Sequence, residues 1–377
     1  MEKNKKKKNS SWMIVLSSAF MMIVGGVCGY FMVDFAENSS DDKKFGLGYF
    51  LLAFAIMYLV FFIQIIIHEA GHLVCGLISG YKFLSFRIGS FMWVEDKGKI
   101  KFKRFSLAGT GGQCLMSPPE FVNDKIPFVL YNLGGSLANL FIGILCLGLF
   151  FIVDDIPLLS NFFMFMALIG GAFALMNGIP MRTGMVDNDG YNALSLGKDK
   201  AALRSFWIQM KTNEQISRGK RLNEMPPEWF EVPSDEKMKN SMVAVMGVFA
   251  CNRLMDKHKF KEADELMKHL LEIDSSIVDL HRNLMICDRI YCELISENRK
   301  EALEEMYDSK LKSFMKGMKN FPSVIRTEYV YVLLHEKDME KTDKIKEQFE
   351  KIAKTYPYPS DVNSERELMV IADEKKV

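Results

Sequence analysis

Within one five-residue stretch, His68-Glu69-Ala70-Gly71-His72, stand two imidazoles and a carboxylate at the spacing of a metal-hydrolase helix. Residues four apart on a helix differ by about 40° in direction, so both rings share one face, one turn apart, and can grip a single Zn2+. Glu69 projects about 100° round from His68, where a carboxylate can take a proton from a metal-activated water without filling a coordination position. The pattern is short, but its setting argues against chance. No other histidine precedes His258, and an ionisable residue near the centre of a membrane helix costs roughly 2.5 to 3.5 kcal/mol.

A catalytic zinc needs a third protein ligand and keeps a position for water. Asp154 and Asp155 fall a membrane thickness away from His68 in the topology argued below. That leaves the run Asn177-Gly-Ile-Pro180-Met-Arg-Thr-Gly-Met-Val-Asp187-Asn188-Asp189-Gly190, in which both Asp187 and Asp189 are candidates. Asp189 is preferred, because Gly190 can adopt backbone angles closed to other residues and so turn the chain just after it. Asp187 reads as a turn residue or as a group that orients a ligand.

Four apolar stretches, 12–33, 47–67, 126–153 and 158–179, are long enough to cross about 30 Å of hydrocarbon. The first follows a lysine-rich start, yet its apolar core of about 20 residues exceeds that of a cleaved signal, so it reads as a retained anchor. Lys and Arg gather in the N-terminal tail, in 82–125 and after Arg182, which places those regions and both termini in the cytoplasm. The expected location is thus the cell membrane, with several passes. Charge is balanced, 48 basic residues against 47 acidic, and gives no footprint for nucleic acid. Seven cysteines without a repeating spacing argue for reduced packing residues rather than a disulfide framework or a thiolate zinc site.

With these residues in place, the stretch from about Leu47 to Leu196 resembles the site-2 proteases, intramembrane zinc metalloproteases. Their His-Glu-x-x-His motif is matched by His68 to His72, and their later Asn-Pro and Asp-Gly motif by Asn177, Pro180, Asp189 and Gly190. The resemblance implies Asp189 as the third ligand of Zn2+. Gly135-Ser136-Leu137-Ala138-Asn139 is similar to the family's Gly-Pro-x-x-Asn, which implies that Asn139 helps bind substrate or the developing oxyanion. A packing role for Asn139 among Gly134, Gly135 and Ser136 is the alternative. The chain departs from the pattern at Gly178 and Ser136, where prolines are common, and in a longer stretch from Pro180 to Asp189.

Between the second and third spans, Lys99-Ile-Lys-Phe-Lys103 after the Asp96-Lys97-Gly98 turn suggests a cytoplasmic β-hairpin. It would offer an edge to an unwound substrate, or lay Lys97, Lys99, Lys101, Lys103 and Arg104 on anionic headgroups. Gly109 to Pro119 lacks the ending of a phosphate loop and reads as a bent or re-entrant loop.

Beyond a hinge-like stretch, Met225 to Pro233, the pattern is helical, and Met242 to Cys251 is a core helix too short to span. Similar pieces around Ala263, Ala302 and Thr342 recur 39 and 40 residues apart, close to a tetratricopeptide-like helical repeat that would bind a cytoplasmic protein or peptide partner.

The fold class expected is an all-α membrane protein with about four transmembrane helices and a small cytoplasmic β-hairpin, followed by a soluble repeat-like helical domain. The expected divisions are 1–200 for the transmembrane metalloprotease domain, 201–233 for a linker and 234–377 for the helical repeats. The expected activity is zinc endopeptidase cleavage of a transmembrane segment or hydrophobic leader peptide within the lipid bilayer, with Glu69 as general base, as in regulated intramembrane proteolysis. An inactive membrane scaffold is the alternative, against which Glu69 speaks, since a structural metal needs no base. A prenyl-peptide-processing protease would use a later glutamate, and the third and fourth spans hold none. The topology is checked by cysteine-accessibility labelling: Ser39→Cys should label from outside, Lys101→Cys and Lys259→Cys from inside only. Outside labelling of Lys259→Cys would overturn the four-span arrangement.

Overall fold

The computed structural model describes residues 2–39, 45–96, 98–105, 111–153, 155–182 and 187–375, with side chains from residue 15 onward. Lys43, Lys44, Lys97, Asp154 and the start of the glycine run at 109–110 therefore lie outside the described residues.

In chain order the elements begin with α1 (Glu2–Asn38), α2 (Leu47–Ile78), β1 (Lys82–Ile88), β2 (Phe91–Asp96), β3 (Lys99–Arg104) and β4 (Gly112–Ser117). There follow α3 (Val129–Ile152), α4 (Pro157–Gly178), α5 (Asp189–Ser195), α6 (Lys200–Ser217), α7 (Ser241–Asp256), α8 (Phe260–Glu272) and α9 (Asp279–Ile295). The chain closes with α10 (Lys300–Met306), α11 (Ser309–Gly317), α12 (Pro322–Tyr331), α13 (Met339–Ala353) and α14 (Pro359–Glu374). The protein is mostly helical with small antiparallel strand pairs, and α1 to α4 are long and apolar enough to cross a membrane. It divides into two compact units, 1–88 with 111–199 and 89–110 with 200–377.

In the first unit α2, α3 and α4 pack at backbone distance. A Cβ on Gly71 would lie 2.2 Å from the Gly134 carbonyl oxygen, and one on Gly134 would lie 2.5 Å from that of Gly71. Helices held by dispersion alone gain most from such close approach, which only glycine permits. Gly170 likewise leaves room for the Gln64 amide, 2.9 Å from where its Cβ would stand. Cys28, Met32 and Phe35 of α1 complete this core against Ala53, Val60, Phe165 and Ile169. With 32 residues, α2 is about 48 Å long, so it runs eleven residues past the expected end at Ile67 and carries the histidines well inside the helix.

Antiparallel β1 and β4 also belong to this unit, paired from Lys82 opposite Ser117 to Ile88 opposite Gly112, with a shift of register between Phe83 and Ser85. The re-entrant loop expected over Gly109 to Pro119 is thus a strand over Gly112–Ser117, seated where Gly76 of α2 meets Met116. The expected hairpin is β2 and β3, paired from Phe91 opposite Arg104 to Asp96 opposite Lys99, with Gly98 in the left-handed region at φ 79°. It packs with the second unit: Met92 and Val94 are buried, Lys103 Nζ donates to the Pro357 carbonyl at 3.0 Å, and Phe105 meets Tyr356 edge-on.

The second unit corrects the linker drawn over 201–233. Ala202, Leu203 and Phe206 are buried on α6, and Gln209 donates to the Met242 carbonyl of α7 at 3.1 Å. Nor is Met225 to Pro233 a hinge. Arg253 donates to the Met225 and Pro226 carbonyls at 3.0 and 3.2 Å and lies over the Phe230 ring, which anchors the stretch to α7. The recurring pieces open α8, α10 and α13, and the second is split from α11 by Asp308, whose side chain caps the Leu311 N–H. All seven cysteines are free thiols.

The backbone contact of α2 with α3 generates a stability prediction. Gly71→Ala and Gly134→Ala should each lose roughly 1 to 3 kcal/mol by overpacking, whereas Gly148→Ala, with open space around it, should lose nothing. Thermal unfolding in one detergent measures all three, and equal stabilities would contradict the packing described.

Candidate metal centre

The α2 helix sets His68 and His72 one turn apart with ring centroids 4.8 Å from each other. Their Nε2 atoms stand 3.2 Å apart, and Asp189 Oδ2 lies 3.1 Å from the first and 3.3 Å from the second. Among the described residues these three are the His, Cys, Asp or Glu cluster whose donor atoms converge. Four ligands at about 2.0 to 2.1 Å from a tetrahedral zinc are about 3.3 Å from one another, so the triangle has the edge lengths of one face of such a site.

What decides that the Nε2 lone pairs face inward is the far side of each ring. His72 Nδ1 is 2.8 Å from the Tyr131 carbonyl oxygen, an acceptor only, so Nδ1 carries the proton. His68 Nδ1 is 2.8 Å from Asn139 Oδ1. The orientation of that amide follows from Asn139 Nδ2, which donates to the Gln64 carbonyl at 2.9 Å and to Gln64 Oε1 at 2.7 Å. Gln64 is oriented in turn by donating from Nε2 to the Met166 carbonyl at 2.9 Å. A chain of amides therefore runs from the α4 backbone through α2 and α3 to His68, and fixes its tautomer. Both imidazoles then turn bare Nε2 atoms toward a carboxylate, an arrangement that repels itself unless a cation or proton lies among them.

The donor set thus fits zinc: two neutral imidazoles, each braced from behind, one carboxylate, and a side left open. The His68 and His72 side chains are 11% exposed but that of Asp189 is 25% exposed, so access is from the Asp189 side. Glu69 is buried beside the cluster. Its carboxylate accepts the Cys114 backbone N–H of β4, and a Cβ on Gly112 would come 2.7 Å from its Oε1.

Two expectations change. Gly190 does not supply left-handed backbone, for it lies within α5 and outside the positive-φ glycines. It is glycine because a Cβ there would stand 2.1 Å from the Gly178 carbonyl oxygen, so α5 touches the end of α4 through bare backbone. Asp187 accepts Arg182 Nε at 2.9 Å within the loop. Asn139 has no donor left for an oxyanion: it is fully buried and its amide is used by His68 and Gln64, so its role is to position His68.

Two residues carry more than sequence reasoning assigned them. Asn188 caps α5 by accepting the Tyr191 N–H at 2.9 Å, accepts the Met181 N–H, and donates to the Met176 and Ile179 carbonyls. It thereby makes Asp189 the first residue of α5 and ties that helix to α4. Its preference for helix N-caps was the available signal. Gln64 had none, since its partners are distant in sequence. Gly178 and Ser136 lie against each other, as a Cβ on Gly178 would stand 3.2 Å from Ser136 Cβ.

Metal affinity tests the bracing. Gln64→Leu and Asn139→Leu should each weaken zinc binding about 10- to 100-fold, the usual cost of removing a group behind a ligand. Asp189→Asn should lose most bound zinc and Asp187→Asn should keep it. Chelator competition measures all four, and a swap of the last two outcomes moves the ligand to Asp187.

No protein-family model, curated protein or solved structure is detectably similar to this chain.

Proposed function

We propose that the protein is an intramembrane zinc endopeptidase of the site-2 protease kind, acting on a transmembrane segment or hydrophobic leader peptide. The observation that carries this reading is the convergence of His68, His72 and Asp189 beside a buried Glu69, with both histidines and Glu69 on a helix long and apolar enough to span a bilayer. A structural metal would not need that carboxylate.

Zinc held by the three ligands would supply Lewis acidity, lowering the pKa of a water and polarising a peptide carbonyl. Glu69 accepts the proton of the attacking water and passes it to the leaving amine. The β4 strand pairs with β1 along one edge, and the backbone around Gly112 lies against the Glu69 carboxylate. The free edge of β4, rather than the β2–β3 hairpin, is the strand suited to hold an unwound substrate by backbone hydrogen bonds. An apolar cavity of about 580 Å3 among α1, α2 and α4, lined by Met21, Cys28, Phe61, Phe173 and Asn177, suits a hydrophobic segment. Its Phe173 ring lies 6.3 Å from that of His68, so the cavity ends one side chain from the ligands.

Purified protein should carry close to one zinc per chain, and Glu69→Gln should retain it. Comparing membrane proteomes and released peptides from cells carrying wild type or Glu69→Gln should reveal fragments only with wild type. Identical peptide profiles from the two strains would favour the inactive scaffold.

A further inference from the structure

The second unit holds a cavity of about 270 Å3 whose lining comes entirely from α6, α7, α9, α12, α14 and the segments joining them. Helices α8, α10, α11 and α13 contribute nothing to it, so the cavity opens on one row of the helical array. Arrays of helical hairpins present such a row to extended peptides.

Two arginines in the lining are already committed. Arg221 donates from Nε and Nη2 to Asp256 Oδ1 at 2.9 and 2.6 Å, and from Nη1 to Glu367 at 2.6 Å. Asp256 is further satisfied by the Asn223 N–H and the Ser364 hydroxyl. Arg326, 1% exposed, donates from Nε to Glu365 at 2.8 Å and from Nη2 to Asp288.

The remaining carboxylate is Asp361, on the first turn of α14, which has no hydrogen-bond or ion-pair partner among the described residues. Burial, and then Glu365 and Asp256 nearby, push its carboxyl up to about 7. Four carboxylates line the cavity against two guanidiniums, and His281, whose pKa burial lowers, adds no charge. The ion-pair networks close without Asp361, so the fold does not need it. Asp361 is half-buried, and a carboxylate there without a partner leaves the cavity with uncompensated negative charge that a cation arriving from outside would offset.

We propose that this cavity seats the lysine or arginine side chain of a peptide partner lying along that row of helices. Phe249, Leu284 and Phe321 supply apolar wall for the aliphatic stem, and Asp361 receives the charged head. Drug-sized ligands occupy roughly 300 to 1,000 Å3, so this volume suits one side chain rather than a cofactor. The inference concerns the second unit alone and stands whether or not the first is a protease.

The test uses the full chain in detergent and a fluorescent peptide of four alanines around one central arginine, with citrulline replacing arginine in the control. The arginine peptide should bind at least tenfold more tightly than the citrulline peptide, and Asp361→Asn should abolish the difference without lowering the melting temperature. Asn252→Lys, which sends a tethered ammonium into the cavity from α7, should also block binding and should raise the melting temperature. Equal behaviour of the two peptides, including no binding of either, overturns the proposal. So does undiminished binding by Asn252→Lys, or a destabilised Asp361→Asn, which would give that carboxylate a role in folding.

Discussion

Two imidazole nitrogens and a carboxylate oxygen held 3.1 to 3.3 Å apart, all turned toward one point, are the arrangement to which the first unit is built. Such donors repel one another in a protein interior, and something else must hold them together. On one side this is the Tyr131 carbonyl; on the other it is the amide chain through Asn139 and Gln64 to the Met166 carbonyl. Every link buries polar atoms, and each would cost about 1 to 3 kcal/mol if left without its partner. The chain therefore exists in full or is strongly disfavoured.

The amide chain dictates how closely the helices pack. Gln64, Asn139 and the Met166 carbonyl reach one another only because glycines stand at the crossings, Gly71 on Gly134 and Gly170 beside Gln64. A Cβ on Gly135 would come 2.5 Å from the His68 ring, so the imidazole lies against bare α3 backbone. Asp189 is delivered by the same means: Asn188 ties α5 to the end of α4, and Gly190 lets the two backbones meet. The polar centre and the small residues are thus one device, in which close approach supplies the hydrogen-bond geometry that holds the ligands.

Legibility followed sequence separation. His68, Glu69 and His72 could be read because one helical turn brings them together, and the apolar runs because a helix's length follows from its residue count. The β2–β3 hairpin was equally local, with its turn at Gly98. Asp189 could be narrowed to two positions but was selected with help from a resemblance, and the role inferred for Gly190 was mistaken because its neighbour, Gly178, is brought to it by a loop. Gln64 was opaque: its partner at Met166 is 102 residues away. The α6 helix was hidden by a polar sequence whose buried face packs on α7, where Gln209 bonds the Met242 carbonyl 33 residues away.

Zinc K-edge X-ray absorption of the purified protein tests most directly whether these three side chains form a metal centre. The account predicts a first shell of nitrogen and oxygen at about 2.0 to 2.1 Å, with the multiple scattering of two imidazoles and no sulfur. A sulfur shell at about 2.3 Å, or the signature of fewer than two imidazoles, would contradict it.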